Sequence, residues 1–315
     1  MNIPWIVDGH CDTLTAIAKQ NRTFGERSAK GQLDLPRMQS GGINVQFFAA
    51  FIAPKYKDTA LKKCLQLIDI FYTQILKDRN SVEPALNGDD IHRVAEAGKI
   101  AALLSIEGGE ALTGDIAVLR TFYRLGVRSL TLTWNGRNEL GDGVGEGSAA
   151  GGLSSFGRLV VQTMNDLGML IDVAHLAARG FWDVAEISSR PFAATHANCR
   201  AVCDHPRNLD DHQIEFLARN GGIVGLTFVP EFIDRHDPCI EAFISHVDHI
   251  ASRFGTDCIG LGSDFDGMDK FTPGLHDATC GLRLAEELIK HGYSYEQVSG
   301  IMGGNWLRLL AKVLQ

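Results

Sequence analysis

Eight β-prone runs alternate with helical patterns along the chain, and that alternation limits its fold more than any other feature. The runs lie at residues 5–12, 43–52, 100–107, 128–134, 170–175, 191–196, 223–228 and 258–264. Strands separated by helices build parallel sheets from βαβ units. Open doubly wound sheets usually hold roughly five to seven strands, so eight runs spread over the whole sequence favour a closed (β/α)8, or TIM, barrel. The 315 residues are ample for that architecture, and no linker divides them, so one catalytic barrel domain over 1–315 is expected. Between the second and third runs, Leu61, Leu65, Ile68, Tyr72 and Ile75 repeat at helical spacing, with Thr59 or Asp58 placed to cap them. Phe156, Leu159, Val160, Met164 and Leu167 predict another helix ended by Gly168, and Ser294 with Gln297 has capping-box spacing. Residues 135–153 contain seven glycines, read either as a mobile surface loop or as a substrate-facing lid.

A formal net charge of −8 repels phosphate backbones and anionic lipid, which argues against nucleic acid or a membrane surface as partner. Met1 to Val7 lack the basic start and apolar stretch of a secretory leader. No apolar run approaches the roughly 20 residues of a bilayer span. Seven cysteines without a CxxC pair fit buried thiols in a reducing cytoplasm, the expected location.

The chemistry-bearing residues fall at the ends of the runs. Asp8-Gly9-His10-Cys11-Asp12 closes the first, with His10 and Asp12 two apart and so on one side of an ideal strand. Glu107 ends an apolar strand and needs a partner or a cation to be buried there. His175 and His196 end the fifth and sixth runs. Barrel enzymes place their catalytic groups at strand C-terminal ends, and all five residues meet that condition. Imidazole with carboxylate suits zinc, and five protein ligands exceed what one catalytic zinc takes, so two zinc ions sharing Glu107 explain the count. Asp264 continues the row of Gly260 and Gly262 toward the same cavity and is the candidate for moving protons, whereas Asp266 reads as a turn carboxylate. After His196, either Arg200 or Arg207 is suited to hold a substrate carboxylate.

Taken together, these stretches resemble the membrane (renal) dipeptidase family of dinuclear zinc hydrolases, in its bacterial form. The resemblance runs in order through Asp8 to Asp12, Ile106 to Gly109, Leu130 to Thr133, Leu153 to Gly157, Ile171 to His175, His196 to Asn208 and Gly262 to Gly267. It implies that His10, Asp12 and Glu107 bind one zinc, and that Glu107, His175 and His196 bind the other. It also implies that Arg207 holds the substrate carboxylate and that Asp264 is catalytic together with Glu107. One position departs from the pattern: mammalian-type members carry a substrate-contacting histidine where this chain has Trp134. Asn135 or Asn138 is then expected to supply the compensating hydrogen bond to substrate. The implied activity is hydrolysis of a small dipeptide with free amine and carboxylate, by a hydroxide bridging the two metals, in an enzyme that forms a homodimer. Another metal hydrolase of the same fold, a cyclic-amide hydrolase or deaminase, is the alternative, and a non-catalytic binding barrel, whose mark would be a lost ligand, is a third reading.

Overall fold

The computed structural model describes residues 5–314. Its strands are β1 (Ile6–Asp8), β2 (Ile43–Phe51), β3 (Val82–Pro84), β4 (Ile100–Glu107), β5 (Val127–Thr131), β6 (Leu170–Asp172), β7 (Ala193–Ala194), β8 (Ile223–Leu226) and β9 (Ile259–Leu261). Each of the eight expected runs contains one of them. All the ladders are parallel, in the order β2-β1-β9-β8-β7-β6-β5-β4-β3, and the pairing of β2 with β4 closes eight of the strands into a barrel. The extra strand, β3, pairs only with Ile100 to Ala102 at the start of β4, below the point where β5 takes over at Leu104. Its sequence Val-Glu-Pro is too short to show alternation, and proline is tolerated there because the strand is an edge.

Two apolar cores follow from the two faces of the strands. Ile6, Phe48, Leu104, Ile106, Leu130 and Ile171 face the surrounding helices. The alternate residues Val7, Val45, Leu103, Leu170, Ala193 and Ile223 face inward, where they meet Trp306, Leu309 and Leu310 of the helix Asn305–Val313. Trp306 is fully buried and its Nε1 donates to the Leu261 carbonyl at 2.9 Å. A Cβ at Gly9 would lie 2.5 Å from the indole and one at Gly260 2.4 Å, so these inward positions are held open by glycine. The barrel is therefore packed beneath the strand C-termini, and chemistry is confined to the other end.

The helices follow the expected spacing with two adjustments. In Ala60–Thr73 the buried stripe is Cys64, Leu67, Ile68 and Phe71, while Leu65 and Tyr72 are exposed. Thr59 occupies the N-cap position but its hydroxyl donates to Tyr56 O, so neither Thr59 nor Asp58 caps the helix through its side chain. In Ser155–Leu167, Val160 and Met164 are buried, Leu159 is exposed, and Gly168 ends the helix in the left-handed region. Ser294 and Gln297 form the expected capping box. All seven cysteines are free, and all but Cys239 are buried. No helix of the described residues is long and apolar enough to cross a membrane.

Candidate active site

Glu107 is the last inward residue of β4, after Leu103 and Ser105, and is 3% exposed. The other expected ligands lie just beyond their strands. His10 follows β1 by two residues, His175 follows β6 by three, and His196 follows β7 by two. His175 and Asp264 take φ angles of 67° and 65°, left-handed geometry that turns each away from its strand direction. The inward row expected through Gly260 and Gly262 therefore does not itself place Asp264; the turn does. Asp12 sits at the N-cap of the helix Thr13–Gln20 without capping it.

The five residues converge. Glu107 Oε2 lies 3.4 Å from His10 Nε2, and Glu107 Oε1 lies 2.9 Å from His175 Nε2 and 3.7 Å from His196 Nε2. One carboxylate thus faces two groups of donors with its two oxygens. His10 Nε2 is also 3.9 Å from Asp12 Oδ2 and 3.8 Å from Asp264 Oδ1. Donor atoms within 4.8 Å of one another are supplied by His10, Glu107 and His196, and by His10, Asp12 and Asp264. Asp264, expected only as a proton carrier, thereby joins the donor cluster around His10.

These donors fit metal ions. His175 Nδ1 is 2.7 Å from Asn135 Oδ1, an acceptor, so the ring proton sits on Nδ1 and the lone pair on Nε2. His196 Nδ1 is 2.9 Å from Thr195 Oγ1, whose own proton goes to Asp172 Oδ2 at 2.7 Å, so the His196 lone pair also sits on Nε2. The two Nε2 atoms are 2.8 Å apart. Both face Glu107 Oε1, leaving three lone-pair atoms with no proton to share, an arrangement that a cation between them stabilises. His10 Nε2 and Asp12 Oδ1 are buried without a hydrogen-bond partner, which extends the unmet demand to the second donor group.

For His175 and His196 the electrostatics agree. Burial, with the Arg207 charge, pushes His175 down to about 3, and burial with His10 and Arg207 holds His196 well below its ordinary value. Both rings are neutral at pH 7, so their contacts with Glu107 are not ion pairs. Burial opposes charge on both His10 and Glu107, yet their attraction outweighs it, holding the imidazole well above and the carboxyl well below the usual ranges. Asp264 is pushed up to about 8, by burial first and then by the Asp12 and Glu107 carboxylates, against His10 and Arg207.

Around the donors, Arg207 is buried, donates Nη2 to the His196 carbonyl at 2.9 Å, and leaves Nε without a partner. Burial lowers its pKa to about 10, and Asp264 and Glu107 support its charge. Trp134 is half-buried, with its ring 5.6 Å from Phe51 and 5.9 Å from His175. Asn135, expected at the substrate, gives its amide oxygen to His175. Asn138 is committed elsewhere: its amide donates to Leu132 O, and its oxygen accepts from Leu140 N and Gly141 N, which folds the glycine-rich loop. Asp172, Thr195 and Thr131 were not anticipated. The inward parity of Asp172 with Leu170 in an apolar strand was the available signal. Asp266 is more than a turn carboxylate: it accepts from Thr13 Oγ1 at 2.7 Å, from Gln32 N at 2.6 Å and from Arg22, tying the first loop to the turn that carries Asp264.

Comparison with known proteins places this geometry. The sequence profile of the membrane dipeptidase family, peptidase family M19, matches residues 2–315. The dipeptidase verJ of Clonostachys rogersoniana is 32% identical over 98% of this chain and 84% of its own length. Mouse dipeptidase 3 is also 32% identical, with 98% of this chain matching 64% of that protein. The crystal structure of an M19 dipeptidase superposes with a TM-score of 0.93 at 30% identity, covering 99% of both chains. A Rhodobacter sphaeroides metallopeptidase, solved with a phosphinate mimic of the dipeptide L-Ala-D-Ala, gives 0.93 at 29% identity over 99% of this chain and 100% of that one. With the barrel, the histidine and carboxylate donors at its mouth, and this likeness over the full described length, the chain belongs to the membrane dipeptidase family of metallopeptidases, M19.

Proposed function

We propose that the protein hydrolyses dipeptides bearing a free amine and a free carboxylate, using two zinc ions bridged by Glu107. The observation that carries this reading is the set of three unprotonated donors, His175 Nε2, His196 Nε2 and Glu107 Oε1, crowded together beside a second group formed by His10 and Asp12. His10, Asp12 and Glu107 would hold one ion, and Glu107, His175 and His196 the other. Bound zinc supplies a water acidified toward neutral pH and polarises the scissile carbonyl.

The protein's own groups do the rest. The charge of ions held beside Asp264 would favour its carboxylate form, which accepts the proton from the attacking water at Oδ1 and delivers it to the nitrogen of the leaving amine as the C–N bond breaks, leaving two free amino acids. Arg207 holds the C-terminal carboxylate of the substrate and fixes the distance of the scissile bond from the donors. Asn135 and the Thr195–Asp172 pair keep His175 and His196 in the tautomers that present Nε2. Trp134 and Phe51 form an aromatic wall that limits water at the mouth. The dipeptide mimic seen in the Rhodobacter sphaeroides relative favours a dipeptide over a cyclic amide or nucleobase. A panel of L,L and L,D dipeptides, run beside hydantoin, dihydropyrimidine and nucleobase substrates, tests the reading. Hydrolysis confined to dipeptides supports it, and turnover confined to cyclic amides or bases rejects it.

A further inference from the structure

Arg200 and the glycine-rich 135–153 segment, both conspicuous in the sequence, meet at a cavity of about 470 Å³ that the mechanism above leaves unused. Arg179, Arg200 and Arg235 line it with a single carboxylate, Asp204, and Gly147 borders it. Among the described residues, none of the three guanidiniums is engaged in an ion pair. Arg200 donates Nη2 to Pro206 O at 3.1 Å, but its Nε is buried with no partner. Three positive groups against one negative make a local environment suited to an anion. The neighbouring His205 registers this field: burial, followed by Arg207, Arg235 and Arg200, depresses its pKa.

The cavity adjoins the donor cluster through the backbone. Val144, on its wall, donates its N–H to the His175 carbonyl at 2.8 Å. Arg179 lies in the first turn of the helix Ala178–Ile187, which begins just after His175, so the positive end of that helix faces the same space. Arg200 and Pro206 lie on the loop between His196 and Arg207. A residue whose α-carboxylate is held by Arg207 carries its side chain on the adjacent carbon, and Pro206, next to Arg207 in the chain, lines the cavity.

We propose that the cavity accepts the carboxylate side chain of the dipeptide's second residue and makes the enzyme selective for substrates ending in aspartate or glutamate. The proposal rests on the dipeptidase reading. It is tested by measuring kcat/KM for alanyl dipeptides ending in Glu, Gln, Asp, Asn and Lys, each as L and D isomers, on the zinc-loaded wild-type enzyme and on the variants Arg179→Ala, Arg235→Ala and Arg235→Glu. The expected result is a Glu-over-Gln ratio of roughly fivefold or more in the wild type, lost by a similar factor in each alanine variant and turned toward Lys in Arg235→Glu. A ratio near one in the wild type, or one that persists unchanged in all three variants, overturns the proposal while leaving the dipeptidase reading intact. Hydrolysis of none of the dipeptides overturns both.

Discussion

The Nε2 atoms of His175 and His196 face each other at 2.8 Å, each with its ring proton committed on the far side, to Asn135 and to Thr195. Two lone pairs held at this distance repel unless a cation lies between them, so a bound cation is expected to favour the folded chain. Removing divalent ions with a chelator should lower the melting temperature, and added Zn2+ should restore it with two ions bound per chain, because a ligand that binds only the native state stabilises it. Differential scanning calorimetry with elemental analysis measures both. An unchanged melting temperature after complete metal removal would count against the site.

The link from His196 through Thr195 to Asp172 should matter to metal affinity before it matters to folding. Thr195→Val deletes the hydroxyl that fixes the ring, and about 10- to 100-fold weaker zinc binding at one of the two sites is expected. Thr195→Ser retains the hydroxyl and should bind as the wild type does. Competition against a chromophoric chelator gives both constants, and equal affinities in Val and Ser variants would remove the positioning role.

Asp264→Asn should reduce turnover by roughly two to four orders of magnitude with metal content retained, the usual worth of a proton-transferring group. Steady-state kinetics paired with metal analysis separates this from ligand loss. Loss of one ion per chain would instead make Asp264 a ligand, consistent with its place beside His10 and Asp12.

Arg207→Lys keeps a positive charge but not the planar fork. KM for dipeptides should rise by roughly tenfold while kcat changes less, as expected for loss of substrate binding common to ground and transition states. An unaltered KM would show that the carboxylate is held elsewhere.

His246 offers a test of acid stability away from the site. Its Nδ1 accepts from Cys199 N at 3.1 Å and its Nε2 donates to Ile233 O at 2.9 Å, which specifies the neutral ring. Burial pushes its pKa down to about 4 from an ordinary 6.5. A base with a depressed native pKa takes its proton more readily when unfolded, so this stabilisation is present above pH 6.5 and is lost as pH falls toward 4. His246→Leu should be less stable than the wild type at pH 7, with a shallower decline between those limits. Denaturation midpoints across that range measure it, and parallel declines in the two proteins would dismiss the assignment.

The barrel was legible because β-prone runs alternate with helical patterns, and five of the runs also carry chemistry at their ends. Glu107 was the clearest case: a charge closing an apolar strand has few places to go. What remained hidden depends on turns and on residues that act through others. His175 and Asp264 reach the site through left-handed φ angles, which no strand parity encodes. Asn135 and Asn138 were visible as polar groups near the mouth, but an amide carries no mark distinguishing a substrate contact from a clamp on a histidine or a loop. Leu65 and Tyr72 were drawn into a helix stripe because Cys64, Leu67 and Phe71 repeat with the same period one position away, and only packing decides between the two faces. Nothing in the sequence marks Trp306 for its place beneath the strands, which became visible only once Gly9 and Gly260 were seen to leave it room.

That insertion has a consequence for the order in which the protein is made. Trp306 rests against Gly9 and Gly260, and β1 pairs with β9 through Asp8 and Leu261, so segments far apart in the chain meet at one seam. A nascent chain that has emerged only through β8 already carries His10, Glu107, His175 and His196, yet it lacks both the strand that closes the ring and the indole that fills it. A ribosome stalled before Trp306 should therefore display an open, metal-poor barrel.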